Sequence, residues 1–208
     1  MLPRLYVILD RDAARRGCGD LLDAAHAAAD AGARFFQIRD KQLPPDKFYA
    51  HAEAVTLRLA GYDPVILVND RADVALSLGL AGVHRPQNGL PTDELRRLLE
   101  YRVVGASCHD AAEAEDAAGL GADFVTVSPV FETSSKPGAP LLGLAGLAKI
   151  AGPLDVPVYA LGGVTPQRVG ACLDRGAHGV AVLAGIMAAE DPYRATERYI
   201  EALAAHLN

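Results

Sequence analysis

The sequence predicts an α/β protein, a single compact (β/α)8 barrel of the TIM type spanning residues 1–208, and three observations carry that expectation. Short runs rich in Val, Ile and Phe alternate with longer Ala-, Leu- and charge-rich stretches of helical period, the mark of repeated strand–helix units around a parallel sheet. Eight such units can be read, and 208 residues shared among eight leave about 26 for each, enough for a strand, a helix and two tight loops. Glycines recur where helices give way to strands, at Gly32, Gly82, Gly119, Gly121 and Gly176, positions suited to the left-handed residue that ends a helix. A doubly wound open sheet needs fewer strands and is the alternative.

Taken in order, the first strand is expected at 4–9, an apolar run halted by Asp10-Arg11-Asp12, and the first helix at 20–31, ended by Gly32. Strand 35–38 and helix 46–59 follow, separated by the proline-containing loop Gln42-Leu43-Pro44-Pro45. The third and fourth units pair strand 65–68 with helix 72–78 and strand 82–84 with helix 92–100. Strand 103–106 precedes the Ala- and Glu-rich helix 111–118, which runs into the glycine pair Gly119 and Gly121. Strand 124–127 leads through the loop at Ser135-Lys136-Pro137-Gly138-Ala139-Pro140 to helix 144–150. The last two units are strand 158–161 with helix 166–175, and strand 179–183 with helix 192–206. No linker, low-complexity segment or composition shift marks a domain boundary.

Half of the residues are hydrophobic, enough for a sizeable core and too many for a disordered chain. Lys and Arg number 20 against 26 Asp and Glu, a net charge of −6 without a basic run, which excludes a general nucleic-acid surface. The longest apolar stretches, 65–68 and 180–184, fall far short of the roughly 20 residues of a membrane span. The apolar run 5–9 meets charge too early for a signal peptide, so a cytoplasmic protein is expected. Cys18, Cys108 and Cys172 have neither disulfide nor zinc spacing and read as small core or surface residues.

In a barrel of this kind the loops after the strands share one face, and that face carries the active site. The unusual polar residues fall there: Gln37-Ile38-Arg39-Asp40-Lys41, Asn69-Asp70-Arg71, Ser107-Cys108-His109 and Thr133-Ser134-Ser135-Lys136, then Gly162-Gly163-Val164-Thr165 and Leu183-Ala184-Gly185-Ile186. Arg39, Lys41 and Lys136 place cations around the rim, and glycine turns before helices expose N–H groups, a combination suited to a phosphorylated polyanion. Each cation taken singly is more often a solvated surface charge; convergence of several loops favours the ligand. Asp70 reads either as a hard oxygen ligand for a divalent cation, with Asn69 orienting a ligand, or as a helix N-cap. Ser107 and His109 invite a nucleophile, but no acid is visibly paired with them and the turn grammar of a nucleophile elbow is missing. His84, at the end of a short strand, reads as a packed or rim residue, and His26, His51, His178 and His206 carry no signal.

These motifs resemble, over nearly the whole chain, those of thiamine phosphate synthase and its thiazole tautomerase relatives. The carriers are Gln37 to Lys41, Val68-Asn69-Asp70-Arg71-Ala72-Asp73-Val74-Ala75, Gly105-Ala106-Ser107-Cys108-His109, Gly121-Ala122-Asp123-Phe124 through Ser128 to Lys136, and Ala160-Leu161-Gly162-Gly163-Val164. For the synthase, the resemblance implies a Mg2+-assisted substitution in which hydroxymethylpyrimidine diphosphate loses pyrophosphate and the nitrogen of thiazole phosphate captures the pyrimidine methylene. It implies that Gln37, Arg39, Lys41, Asn69 and Lys136 hold diphosphate and pyrimidine, with Arg39, Lys41, Lys136 and Ser107 acting in the reaction. Asp70 would bind Mg2+, Ser107 would contact pyrimidine or diphosphate, and Thr133 and Ser135 would face the thiazole phosphate beside the backbone of Gly163 and of the segment after the eighth strand. The partners implied are these two small molecules, with a homodimer left open and neither nucleic acid nor membrane.

Two departures bear on that reading. The family's Gly-Gln-x-Asp segment, whose carboxylate is a second Mg2+ ligand, is replaced after His84 by Pro86-Gln87-Asn88-Gly89, and Asp93 belongs to the following helix. Ala184 stands where many relatives have Ser. The tautomerase alternative moves protons without diphosphate or metal; His84-Arg85-Pro86-Gln87 and Val130-Phe131-Glu132-Thr133 lean toward it, although its histidine before that second motif is here Pro129. The intact set Gln37, Arg39, Lys41, Asn69 and Asp70 favours the synthase. A noncatalytic thiazole phosphate-binding barrel is the third alternative, disfavoured by the retained cations.

Overall fold

An apolar strand with side chains on both faces needs cover on each, and the chain supplies it by closing its sheet on itself with helices outside. The computed structural model describes residues 1–133 and 138–206. Its strands are β1 (Leu5–Leu9), β2 (Phe35–Ile38), β3 (Val65–Asn69), β4 (Gly82–Arg85), β5 (Val103–Cys108), β6 (Phe124–Val127), β7 (Val158–Leu161) and β8 (Gly179–Val182). All neighbours are parallel and sequential, and β8 returns to β1 through Tyr6 opposite Ala181, so the sheet is a closed eight-stranded barrel. Closure excludes the open-sheet alternative.

Period-two alternation sorts the strand residues. Tyr6, Ile8, Phe35, Leu67, Phe124, Tyr159 and Ala181 form one buried cluster inside the barrel. Their neighbours Val7, Phe36, Val68, Val125, Ala160 and Val180 join the cluster that packs against helices. Inside, Tyr6 stacks on Phe35 with ring centroids 4.1 Å apart, and Phe124 meets Tyr159 edge-on at 5.3 Å. The Tyr159 hydroxyl donates to the Pro3 carbonyl at 2.7 Å, which satisfies its polar end at the amino-terminal mouth.

Outside lie α1 (Arg11–Arg16), α2 (Leu21–Asp30), α3 (Pro45–Leu59), α4 (Ala72–Ser77), α5 (Thr92–Leu99), α6 (Ala111–Gly119), α7 (Gly143–Ala151), α8 (Val169–Leu173), α9 (Ala184–Met187) and α10 (Pro192–Ala205). Asp20, Asp110 and Asp191 cap α2, α6 and α10 by accepting from backbone N–H groups of the first turn. No helix among the described residues is long and apolar enough to cross a membrane.

The structure departs from the sequence expectation in several places. Helix α1, capped by Asp10 through Ala13 N–H, and the four-residue α9 were not expected. The helix expected at 166–175 divides into a 3-10 turn, Pro166–Arg168, and α8. β1 begins at Leu5 rather than Arg4, β5 runs on to Cys108, and β8 stops at Val182 rather than Leu183. Gly82 ends no helix: Gly79 takes the left-handed conformation there, while Gly82 starts β4 so close to Val103 that a methyl group would strike that residue's backbone.

Candidate active site

Residues at or just after every strand reach the carboxyl mouth of the barrel. Ile8, Gln37, Asn69, His84, Ser107, Leu161 and Ala181 stand at or near the ends of seven strands, and Ser128 directly follows β6. With the loops beyond them they line a cavity of about 950 Å³, near the upper end of the range for small-molecule sites and able to hold two modest ligands together. Gln37, Arg39, Lys41, Asn69, Asp70, Ser107, Thr133 and Gly163 all line it, so the residues expected from sequence converge. Ser135 and Lys136 lie outside the described residues.

The cationic side is built by the β1 and β2 loops. Arg39 Nη1 bonds Asp10 Oδ2 at 2.7 Å, and Arg11 Nε lies 3.0 Å from Asp40 Oδ2. The two pairs cross between adjacent loops, so Arg39 is held at the cavity wall from behind. Asp10 thereby serves two structures, the cap of α1 and the seat of Arg39. Lys41 is exposed at the rim. Gln37 is buried and donates from Nε2 to the Tyr6 hydroxyl at 2.8 Å, tying the cavity floor to the aromatic interior.

Two histidines missed as site residues organise the next sector. His84 is buried, and its Nε2 lies 2.9 Å from Ser107 Oγ and 3.4 Å from Thr126 Oγ1. Burial, aided by the charge of Arg39, pushes its pKa down to about 3, so the ring is neutral across the physiological range. His109 is paired with Glu113: the carboxylate accepts from its backbone N–H at 2.7 Å and lies 3.1 Å from Nδ1. Gln87 Nε2 donates to the other carboxylate oxygen at 2.6 Å, joining the β4 and β5 loops. Burial works to raise the Glu113 pKa, but the bonds from His109 and Gln87 outweigh it and hold the carboxyl below its ordinary value. An acid is thus paired with His109 after all: Glu113, four residues on in the first turn of α6. Ser107 has His84, not His109, as its imidazole partner.

Asp70 is not the cap of α4. That position belongs to Arg71, which makes no side-chain cap bond, and Asp70 adopts φ +66°, a left-handed conformation at the turn out of β3. Its carboxylate accepts no hydrogen bond and joins no ion pair among the described residues, and Oδ1 faces Gly89, where a methyl group would come within 2.9 Å. Asn69, Asn88 and Gln87 also line this part of the cavity. The donors are hard oxygens, suited to Mg2+ bound through one carboxylate, water and a ligand phosphate. No group of three or more His, Cys, Asp or Glu side chains with metal-site geometry exists among the described residues. Asp93, in α5, does not line the cavity.

Opposite the cations lies a wall of backbone. Gly162 and Gly163 have φ +93° and +61°, and a side chain on Gly163 would strike the Glu132 carbonyl and Phe131. Glycine is required there by conformation and by space. Ala184 and Gly185 complete this wall. Arg168, which the sequence reading did not single out, joins it: Nη1 donates to the Gly163 carbonyl at 2.7 Å and the guanidinium lies 4.6 Å over the Phe131 ring. Only the packing of the β6 and β7 loops brings Arg168, Gly163 and Phe131 together.

A closed parallel barrel with a cavity at its strand ends, cationic on one side and glycine-walled on the other, defines an enzyme-like site for small molecules. Comparison with known proteins narrows that class: residues 5–186 match the family model described as thiamine monophosphate synthase, and the chain belongs to that family. It is 41% identical over 194 residues to the thiamine-phosphate synthase of Roseiflexus castenholzii, covering 92% of this chain and 84% of that protein. It is 37% identical over 180 residues to the putative thiamine-phosphate synthase 2 of Aquifex aeolicus, covering 86% and 95%. A solved thiamine phosphate pyrophosphorylase from Pyrococcus furiosus superimposes with a TM-score of 0.89 at 31% identity, over 99% of this chain and 97% of that one.

Proposed function

We propose that this protein is a thiamine-phosphate synthase that couples hydroxymethylpyrimidine diphosphate to thiazole phosphate, releasing pyrophosphate. The observation that supports this most directly is the cavity itself, which presents Gln37, Arg39, Lys41, Asn69 and Asp70 on one side and the Gly162-Gly163 wall on the other. In the reaction the bond from the pyrimidine methylene to the diphosphate oxygen breaks, its electron pair leaving with pyrophosphate. The lone pair of the thiazole nitrogen then forms the new carbon–nitrogen bond. Charge separation dominates, so preorganised cations and donors are what the chain must supply.

Arg39, fixed by Asp10, and Lys41 would bind the diphosphate and stabilise its charge as it departs. Gln37 and Asn69 would orient the pyrimidine, and Ser107 would bond pyrimidine or diphosphate. Thr133 and the backbone of Gly163, with the Ala184-Gly185 segment, would hold the thiazole phosphate across the cavity; Lys136 and Ser135 would complete the cage. Asp70 would hold Mg2+, with Asn69 and Asn88 as neighbouring oxygen donors. When bound, the ion supplies positive charge against the leaving pyrophosphate.

The deciding experiment mixes the purified protein with both substrates and Mg2+ and follows thiamine phosphate and pyrophosphate with and without a chelator. Product that appears with Mg2+ and vanishes with chelator is expected. No product from folded protein would reject the synthase and turn attention to thiazole carboxylate phosphate isomerisation or to ligand binding without turnover.

A further inference from the structure

His84 lies near the end of β4 on the inside of the barrel with 2% of its surface exposed, and its two ring nitrogens meet unlike surroundings. Nε2 faces two hydroxyl groups, Ser107 Oγ at 2.9 Å and Thr126 Oγ1 at 3.4 Å. Nδ1 is sealed from solvent and has no hydrogen-bond partner among the described residues. It lies over Gly105, so close that a methyl group on that residue would stand 2.8 Å from the nitrogen and collide with the Phe124 ring.

A neutral imidazole has one N–H and one bare nitrogen. A hydrogen on Nδ1 would find no oxygen or nitrogen to receive it, and an orphaned buried N–H is a state folded proteins avoid. A bare Nδ1 against Gly105 loses less, since it can accept a weak C–H contact. A hydrogen on Nε2, by contrast, meets an oxygen at good distance. We infer that His84 carries its hydrogen on Nε2 and donates it to Ser107, leaving the Ser107 hydroxyl to donate its own hydrogen to an acceptor atom of the ligand in the cavity.

His84 is then a positioning residue and Ser107 a fixed donor, aimed at a ligand oxygen or ring nitrogen. The opposite tautomer would accept the Ser107 hydrogen at Nε2 and make the serine an activated nucleophile, so one hydrogen separates two chemistries. The identity of the ligand rests on the proposed synthase reaction; the place of the hydrogen does not.

Two measurements test the inference. Long-range proton–nitrogen correlation on the full-length 15N-labelled protein reads the tautomer directly, with the His84 signals assigned by their loss in His84→Gln. Should that variant fail to fold, subtraction of the other five histidines, none of them buried, gives the same assignment. A hydrogen on Nε2 with bare Nδ1 is expected; the reverse overturns the inference whatever the protein catalyses. In the coupling assay, Ser107→Ala and His84→Leu should each lower kcat/KM by roughly 10- to 100-fold, the loss of one hydrogen bond to a charged group. The double variant should lose little beyond either single one, because the two residues act through one bond. His84→Gln, whose amide N–H can reach the same oxygen, should recover most of the loss. Multiplicative losses, or a Gln variant as impaired as Leu, would overturn the role given to His84. Absence of turnover in the unaltered protein would sink the synthase reading alone, and the tautomer measurement would still stand.

Discussion

Asp70 offers the most direct residue-level test, because its strained turn delivers to the cavity wall a carboxylate with no hydrogen bond or ion pair among the described residues. Asp70→Ala should cut Mg2+-dependent coupling by at least about 100-fold, in line with removal of a preorganised electrostatic group. Titration calorimetry with Mg2+ and inorganic pyrophosphate should lose its metal-dependent heat; full retention would reject the metal role. The cysteines supply a second test. Cys18 is exposed, whereas burial pushes the thiols of Cys108 and Cys172 up to about 12 and about 11. Since the thiolate is the reactive form, a thiol reagent near pH 8 should modify one cysteine of the native protein rapidly and all three only after denaturation. Rapid native labelling of more than one would contradict the packing described.

At the scale of elements, β5 shows how a strand is specified from both sides. Gly105 leaves room on its inner face for His84 and Phe124, and no side chain fits there without moving one of them. Gly105→Ala should cost about 1–3 kcal/mol by overpacking, read as a lower melting temperature, and should disturb the His84–Ser107 bond. The eight strands were legible because each is a short apolar run bounded by polar or glycine-containing turns. α1 and α9 were not: six and four residues are too few for a helical period to show, and each forms because its preceding strand ends at the barrel mouth. Arg39, Asn69 and Asp70 were legible as site candidates because polar groups at the end of an apolar strand are conspicuous. Arg168 was hidden inside a segment of ordinary helical pattern.

The whole molecule depends on an interior that no single unit contains. Phe124 touches Tyr6, Phe35, His84 and Tyr159, residues from four other strands, so its removal empties the barrel's centre. Phe124→Ala should destabilise by about 3–5 kcal/mol. At roughly 2–4 °C per kcal/mol for a chain of this size, the melting point should fall by about 6–20 °C, and a smaller shift would mean that the interior collapses to fill the space. What the sequence by itself determined was local or periodic: the number and order of strand–helix units, and the loops that carry polar residues. Closure of β8 on β1, the seating of Arg39 by Asp10, and the pairing of His84 with Ser107 were decided by the tertiary structure. These contacts join residues on different strands, or on different loops, whose relation is set by barrel geometry rather than by any spacing along the chain.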